Sequence, residues 1–177
     1  MTAHELGTSR VLLSPLDVVR DTADLVAVLK EPGTFAYVGQ GPVSAGELPA
    51  FIASLTGRGI TWTIRRRADN VAIGFCSLEI LAPAGIWAEF GIVLAPSSHG
   101  AGLATEASDA VIEFAFAQAP LQGVLAGVKP GNAAARKLVE RLGFVQIGNV
   151  PGPRSNELAY RLSRSDRGAR VRYEPPS

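Results

Sequence analysis

Residues 87 to 116 read WAEFGIVLAPSSHGAGLATEASDAVIEFAF, and this stretch decides the fold. Its first eight residues are almost all apolar and rich in aromatic and β-branched side chains, which predicts a buried central strand. From Leu103 onward, apolar residues recur every three or four positions, which predicts an amphipathic helix. Gly100 and Gly102 lie between the two and permit positive φ angles, so several amide groups can converge on a phosphate at the start of the helix. A tight connection without any ligand explains this turn equally well.

Two residues are unusual in the predicted strand. Glu89 is the only charged residue between Ile80 and Pro96, and a carboxylate among apolar neighbours must be paired, solvated in a cleft or functional. Gly91 weakens strand packing and often marks a β-bulge or the close approach of a ligand. Glu89 is therefore a candidate functional residue, with pairing to a buried donor as the alternative.

Length, charge and hydropathy set the class of protein. The 177 residues suffice for one domain with a substantial core. The formal net charge of +1 argues against a nucleic-acid-binding protein, which would need a basic face. No run of residues is long enough to span a membrane, and the N-terminus lacks a secretory pattern. We therefore expect a soluble, cytoplasmic protein with no nucleic-acid or membrane partner.

Cysteine and histidine are too few to suggest redox or metal chemistry. The single cysteine, Cys76, excludes an internal disulfide. Because it lies in an apolar segment, it is expected to be a buried side chain rather than a nucleophile. The two histidines, His4 and His99, are far apart and give no metal-ligand spacing. No metal site is expected.

Composition divides the chain into three segments. Residues 1–9 are expected to form a flexible N-terminus and residues 10–162 a single domain. Residues 163–177 are expected to form a flexible, arginine-rich C-terminal tail, with an oligomer arm or an anion-binding segment as alternatives. In the domain we predict an α+β fold, a mixed twisted sheet of about six to seven strands flanked by four helices. The predicted strands lie at residues 10–16, 61–65, 71–80, 87–94, 123–128, 145–147 and 157–162, and the helices begin near residues 21, 48, 103 and 133.

Several local patterns refine this prediction. Residues 61–65 and 71–80 alternate as an antiparallel hairpin, with Arg65, Arg66 and Arg67 at its tip in a solvated turn or, alternatively, on an anionic ligand. Residues 33–43, which include Phe35 and Tyr37, form either a loop lining a substrate cleft or an anchored connector. Residues 44–47 have the spacing of a capping box at the start of the second helix.

A second motif begins at Asn132. Asparagine is favoured at helix N-caps, and the helix predicted for residues 133–142 buries one apolar stripe. Gly143 is suited to a left-handed helix end, and Phe144 is placed for the hydrophobic contact that accompanies such an end.

Three segments together resemble the GNAT superfamily of acyl-CoA N-acyltransferases. They are Trp87–Pro96, His99–Ala107, and Asn132–Ala135 with Leu142–Phe144. Spacing and element order agree with that superfamily from about residue 10 to residue 162. The sequence is most similar to the branch that acetylates N-terminal amines of ribosomal proteins. The resemblance implies the GNAT acyl-CoA N-acyltransferase fold.

The resemblance also implies acetyl-CoA as a cosubstrate. Its pantetheine arm would run between strands 87–94 and 123–128, along Ile92, Val93 and Leu94, and amide groups of a bulge at Gly91 would polarise the thioester carbonyl. Asn132 and Lys137 are implied as further cofactor contacts. The pyrophosphate would lie on the amides of the loop and first helical turn, at Ser98, His99, Gly100, Ala101, Gly102, Leu103 and Ala104.

The implied reaction is the direct attack of a primary amine on the thioester, without a covalent enzyme intermediate. Glu89 is the expected base, acting directly or through water. The sequence leaves the acceptor open between a peptide N-terminus and a small-molecule amine, and the branch resemblance favours the peptide. A homodimer is kept as an alternative to a monomer.

Two departures from the family pattern bear on this reaction. The phosphate loop commonly has basic or glutamine residues where this chain has Ser98, His99 and Ala101, which predicts weaker CoA binding. Where Ala135 stands, the family usually has a serine assigned to protonating the leaving thiolate, and no tyrosine lies near that motif. The general acid is therefore unassigned, and loss of such an acid removes a factor of ~10²–10⁴ in rate at most.

Two other functions compete with this hypothesis. Because Ala135 lacks a hydroxyl, the protein could be a weak or inactive acyl-CoA-binding sensor or interaction module of the same fold. Residues 100–105 also imitate part of a dinucleotide-binding fingerprint of oxidoreductases, but Thr105 stands where a small residue is needed and no run of βα units surrounds it.

Overall fold

The computed structural model describes residues 3–37, 43–57, 59–81 and 86–171. Within these ranges eight strands form one sheet and five α-helices flank it. The strands are β1 (Leu6–Gly7), β2 (Val11–Pro15), β3 (Ile60–Arg66), β4 (Ala72–Leu81), β5 (Trp87–Leu94), β6 (Gly123–Val128), β7 (Val145–Asn149) and β8 (Leu158–Ser163). The helices are α1 (Val18–Lys30), α2 (Leu48–Ser54), α3 (Leu103–Gln118), α4 (Ala133–Leu142) and α5 (Arg164–Val171).

The strand order in the sheet is β1-β2-β3-β4-β5-β6-β8-β7. Neighbouring strands are antiparallel except β5 and β6, which are parallel. The α+β prediction is confirmed, with eight strands and five helices rather than six to seven strands and four helices. A dinucleotide-binding domain needs a run of parallel strands. The antiparallel sheet therefore contradicts the oxidoreductase interpretation.

The core lies on both faces of the sheet. On one face α3 and α4 cover a large apolar cluster that includes Trp62, Phe90 and Tyr160. On the other face α1 and α2 cover a smaller cluster around Ile52 and Phe75. These two layers bury the apolar stripes that predicted the helices.

A buried carboxylate fastens α1 to the sheet. Asp21 is fully buried, with Oδ1 2.9 Å from Arg65 Nη2 and 2.7 Å from Arg20 Nε, and it accepts a 2.8 Å hydrogen bond from Thr63. Burial alone would raise the pKa of Asp21, but the hydrogen bonds that it accepts from Arg20, the Asp17 amide, Arg65 and Thr63 hold it well below its usual range. Arg65 is therefore a structural residue of β3, and contact of the Arg65–Arg67 run with an anionic ligand stays an alternative.

The ends of the chain differ most from the sequence prediction. The two residues of β1 pair with β2, within the segment expected to be a flexible N-terminus. Residues 164–171, expected to belong to a flexible tail, form α5. Arg167 makes ion pairs with Asp109 and Glu113 of α3, and Arg164 donates to carbonyls at the C-terminal end of α3. A two-residue strand and a polar helix carry no apolar periodicity, so neither could be predicted from hydrophobic patterns.

Some of the local predictions are confirmed and others differ from the structure. The hairpin of β3 and β4 is confirmed, and Cys76 is buried, which raises the pKa of its thiol. The first helix begins at Val18 rather than near residue 21, because Asp17 caps it by accepting from the Val19 and Arg20 amides. The capping box is half formed: Glu47 accepts from the Ser44 amide at 3.1 Å, but the helix N-cap has no side-chain hydrogen bond. Residues 38–42 of the predicted cleft loop lie outside the described residues.

The β7 strand forms one edge of the sheet. All five of its residues are exposed, including Val145 and Ile147. Its pairing with β8 shifts register between Gln146 and Gly148. No helix in the described parts of the chain is long and apolar enough to cross a membrane.

Candidate active site

The central feature of the site is an opening between β5 and β6. The two strands pair over three residues each, from Trp87↔Gly123 to Glu89↔Leu125. Both strands continue beyond this point, β5 to Leu94 and β6 to Val128. The sheet is therefore split at its centre, between two strands that stay paired with their outer neighbours.

The main chain of β5 faces this opening at alternate residues. The Ala95 amide donates to the Ile73 carbonyl at 2.8 Å, which fixes the alternation of the β4–β5 ladder. The polar groups of Gly91 and Val93 consequently point toward β4, and those of Ile92 and Leu94 point toward the opening. Of the three predicted pantetheine contacts, Ile92 and Leu94 can offer backbone groups there, whereas Val93 packs its side chain on the α1–α2 cluster.

The prediction of a bulge at Gly91 is wrong. The β4–β5 ladder runs without a register shift from Gly74↔Leu94 to Leu81↔Trp87, and Gly91 pairs regularly with Ser77. A Cβ at Gly91 would lie 3.3 Å from Ser77 Oγ, in a tight contact. The opening arises because the pairing of β5 with β6 ends. Gly91 lies beside the opening and places no side chain on the sheet surface there.

Glu89 lies at the point where pairing ends, and it forms an ion pair. Its Oε1 is 2.6 Å from Nη1 of Arg154, and the same guanidinium lies 2.8 Å from Glu157 Oε2. The exposed fractions are 29% for the Glu89 side chain and 36% for Arg154, so the pair is partly open to solvent. Burial alone would lower the pKa of Arg154, but hydrogen bonds to Glu157 and Glu89 raise it, and the side chain stays cationic.

The path of Arg154 depends on a glycine in β6. A Cβ at Gly127 would overlap the Arg154 guanidinium and the Glu157 carboxylate. Arg154 therefore crosses the bare backbone of β6 to reach Glu89 on β5. No local sequence pattern relates Arg154 to Glu89, so the ion pair was missed.

A second carboxylate lies next to Glu89. Glu79 of β4 is its direct cross-strand partner in the ladder and is partly exposed. Like charges placed directly opposite each other in a sheet are destabilising. Glu157, Arg154 and Arg161 lie on the same part of the sheet. Together with Glu79 and Glu89 they carry three negative and two positive formal charges, a net charge of −1.

The loop before α3 has the backbone that the glycines predicted. Gly100 and Gly102 have φ angles of 83° and 77°. Gly102 is the N-cap of α3 without a side-chain hydrogen bond, and a Cβ at Gly100 would meet nothing within 4 Å. His99 Nε2 lies 3.1 Å from the Leu94 carbonyl oxygen, and Ser98 is buried. The loop is thus an uncovered cradle of amides at a helix N-terminus, which fits a pyrophosphate.

The second motif is a well-capped helix. Asn132 accepts from the Ala135 amide at 3.0 Å, and Gly143 ends the helix with a φ angle of 94°. The Phe144 amide donates to the Val139 carbonyl, which completes the predicted helix end. The Asn132 side-chain oxygen serves as a cap in this structure, and Lys137 is exposed. Their assignment to the cofactor stays a prediction.

One basic residue at the loop was missed in the sequence. Nη1 of Arg10, which precedes β2, donates to the Ala101 carbonyl at 2.8 Å, and its Nε lies 2.7 Å from Glu106 Oε2. Arg10 and Ala101 are distant in the chain, and nothing in either segment indicates the contact. Among the residues described, no group of three or more His, Cys, Asp or Glu residues could hold a metal ion.

Comparison with known proteins identifies the family. A family model described as an acetyltransferase (GNAT) domain matches residues 10–145. The chain is 32% identical over 91 residues to the uncharacterized N-acetyltransferase YoaA of Bacillus subtilis. This match covers 51% of each protein, so the chain spans about half the length of this curated relative.

Solved structures share the fold. A GCN5-related N-acetyltransferase from Brucella melitensis gives a TM-score of 0.82 at 19% identity, over 96% of this chain and 82% of that one. AAC(6')-Ib, solved in complex with Parmomycin and AcetylCoA, gives a TM-score of 0.77 at 18% identity, over 93% of this chain and 99% of that one. The family match spans well over half of the sequence, and the chain therefore belongs to the GNAT family of acetyltransferases.

Proposed function

We propose that this protein is an N-acetyltransferase that transfers the acetyl group of acetyl-CoA to a primary amine by direct attack. The observation that carries the proposal is Glu89, a partly exposed carboxylate fixed by Arg154 where β5 and β6 separate. Membership of the GNAT family supports the reaction class.

Acetyl-CoA fits the residues around the opening. The amides from Ser98 to Ala104 would hold the pyrophosphate, since the cradle is uncovered and Gly100 and Gly102 leave room for it. Ile92 and Leu94 would hydrogen-bond the pantetheine arm, with Asn132 and Lys137 as further contacts. Acetyl-CoA supplies the thioester, and AAC(6')-Ib, a protein of the same fold, was solved with it.

Glu89 would accept the proton that the attacking amine loses, directly or through one water molecule. Arg154 engages Oε1 and so fixes the carboxylate, while Oε2 can face the acceptor. A positioned base with an orienting partner is a recurring arrangement in enzyme sites. Ala135 offers no hydroxyl to the leaving group, so the sulfur would depart as a thiolate.

The acceptor that fits this face is a cationic amine. The three carboxylates and two arginines at and around Glu89 carry a net negative charge. Most amines are protonated in solution, so they approach the protein as ammonium ions. An acceptor with a carboxylate beside its amine would be disfavoured. A peptide N-terminus agrees with the resemblance to the ribosomal-protein branch, and a small polyamine agrees with the charge equally well.

The test compares CoA release by the wild type and by Glu89→Gln over a panel of peptides and small amines. We expect the variant to lose a factor of ~10²–10⁴ in rate, as for the loss of a general base. Calorimetric binding of acetyl-CoA should stay the same. Glu79→Gln, which changes the neighbouring carboxylate of β4, is the matched control and should change the rate much less. Equal rates for Glu89→Gln and the wild type would remove Glu89 as the base.

A binding module is the second candidate. Ala135 in place of the usual serine and the ion pair on Glu89 both favour it. Tight acetyl-CoA binding without turnover of any amine would support this candidate and overturn the first.

A further inference from the structure

A contact between the start of β2 and the start of α3 lies beside the phosphate loop. Nη1 of Arg10 donates to the Ala101 carbonyl at 2.8 Å. Nη2 of Arg10 lies 3.5 Å from the position that a Cβ on Gly102 would take. The guanidinium therefore reaches Gly102, the N-cap of α3, which lies within the amide cradle.

The same guanidinium is paired with a carboxylate in the first turn of α3. Arg10 Nε lies 2.7 Å from Glu106 Oε2, and Glu106 also accepts from the hydroxyls of Thr8 and Ser9 and from the Arg10 amide. Burial by itself would raise the pKa of Glu106, but these hydrogen bonds lower it to about 2. Glu106 is thus a fixed negative charge within one turn of the cradle.

That charge opposes the binding of a phosphate group. A carboxylate near a helix N-terminus satisfies the helix dipole by itself and repels a second anion. Arg10 cancels the charge, and it keeps unused N–H donors because a guanidinium has five and the contacts to Glu106 and Ala101 use two. Its side chain is 52% exposed, so those donors remain reachable from solvent.

We propose that Arg10 binds the pyrophosphate of CoA and neutralises Glu106 beside it. The inference rests on the proposed function, since it takes CoA as the ligand of the loop. Arg10 supplies side-chain N–H donors beside the loop residues Ser98, His99 and Ala101, and its charge offsets that of Glu106. It comes from another part of the chain and approaches the cradle from the β2 side.

Calorimetry with CoA tests this without any acceptor or turnover. Arg10→Gln should weaken CoA binding about tenfold to a hundredfold, the effect of losing a hydrogen-bonded charge. Arg10→Lys should lose less CoA affinity, because lysine keeps the positive charge. Arg20→Gln is the matched control: Arg20 is 50% exposed and, like Arg10, lies 2.7 Å from a carboxylate, that of Asp21. The control should bind CoA as the wild type does.

Two further arms distinguish pyrophosphate binding from a purely structural role. 3′-Dephospho-CoA should respond to Arg10→Gln as CoA does, whereas pantetheine, which has no phosphate, should not respond. Glu106→Gln in the Arg10→Gln background should recover part of the CoA affinity, because it removes the uncompensated charge.

Three outcomes would overturn the inference. They are unchanged CoA affinity in Arg10→Gln, an equal loss for pantetheine, and a loss for CoA but not for dephospho-CoA, which would place Arg10 on the 3′-phosphate. Binding of CoA without acetyl transfer would overturn the proposed function alone and leave the Arg10 result intact. A wild type that does not bind CoA would overturn both.

Discussion

The loop before α3 and the Glu89–Arg154 pair lie at two parts of the same opening, but different forces fix them. The loop takes its shape from the backbone: two glycines with positive φ angles and a helix N-terminus. The Glu89 centre takes its shape from charged side chains that arrive from β5 and from the segment between β7 and β8. A backbone cradle responds to steric changes and hardly to pH, whereas an ion pair responds to pH and salt.

This difference predicts that the two regions can be damaged separately. Changes at the glycines should impair cofactor binding, and changes at the ion pair should impair the chemical step. Arg154→Gln, Gly102→Ala and Gly127→Ala test it, and Glu106→Gln tests the charge beside the cradle.

Arg154→Gln should have the largest effect. We expect kcat to fall about tenfold to a hundredfold, since Glu89 loses the fixed orientation that Arg154 gives it. CoA affinity should not change. Arg161→Gln, at an exposed arginine of β8, is the control, and an unaltered kcat in Arg154→Gln would limit Arg154 to a contact with Glu157.

Glu106→Gln should change stability in a pH-dependent way. The pKa of Glu106 is lowered from 4.5 to about 2, so its contribution is fully present above pH 4.5 and is lost as the pH falls through about 2. We expect urea unfolding at pH 7 to show about 1–3 kcal/mol less stability for the variant. The difference should shrink toward zero near pH 2. A difference that is constant with pH would show that packing rather than ionisation is responsible.

Gly102→Ala should cost about 1–2 kcal/mol of stability, because a side chain at a φ angle of 77° is strained. Acetyl-CoA binding should weaken with it, and the pH profile of activity should keep its shape. Gly46→Ala is a control on a glycine without a positive φ angle and with open space around it. A shifted pH profile in Gly102→Ala would contradict the separation of the two regions.

Gly127→Ala should have the smallest effect, a severalfold loss of kcat. The added methyl group overlaps the end of the Arg154 side chain, which is flexible and can move aside. The variant should therefore resemble a weak form of Arg154→Gln, with a smaller loss of kcat. Binding of acetyl-CoA is the internal control, and its loss would place the damage in β6 itself.

The same contrast explains how much was predictable from the sequence. The glycine turn, the Asn132 cap and the Gly143 helix end are local, and each follows from a conformational preference of the residue in place. The hairpin and most strands follow from apolar alternation. These elements account for most of the fold and for the cradle.

The contacts of Arg10 and Arg154 could not be predicted in this way. Each joins segments that are distant in the chain, and an arginine has no local preference that reveals its partner. The place where β5 and β6 separate could not be predicted either. Gly91 suggested a bulge, but the opening arises because the pairing of β5 with β6 ends at Glu89. The apolar strand and the glycine turn indicated Glu89 and the loop, the family resemblance assigned their roles, and the three-dimensional arrangement added the charges around them.

The β7 edge has a consequence for the behaviour of the protein in solution. A strand at the edge of a sheet leaves amide and carbonyl groups free to pair with another polypeptide, and exposed Val145 and Ile147 would favour such pairing. The register shift before Gly148 bends this edge and interrupts the regular ladder. A second chain could extend the sheet over only a few residues before its hydrogen bonds fell out of step, so the irregular strand protects the protein against edge-to-edge aggregation.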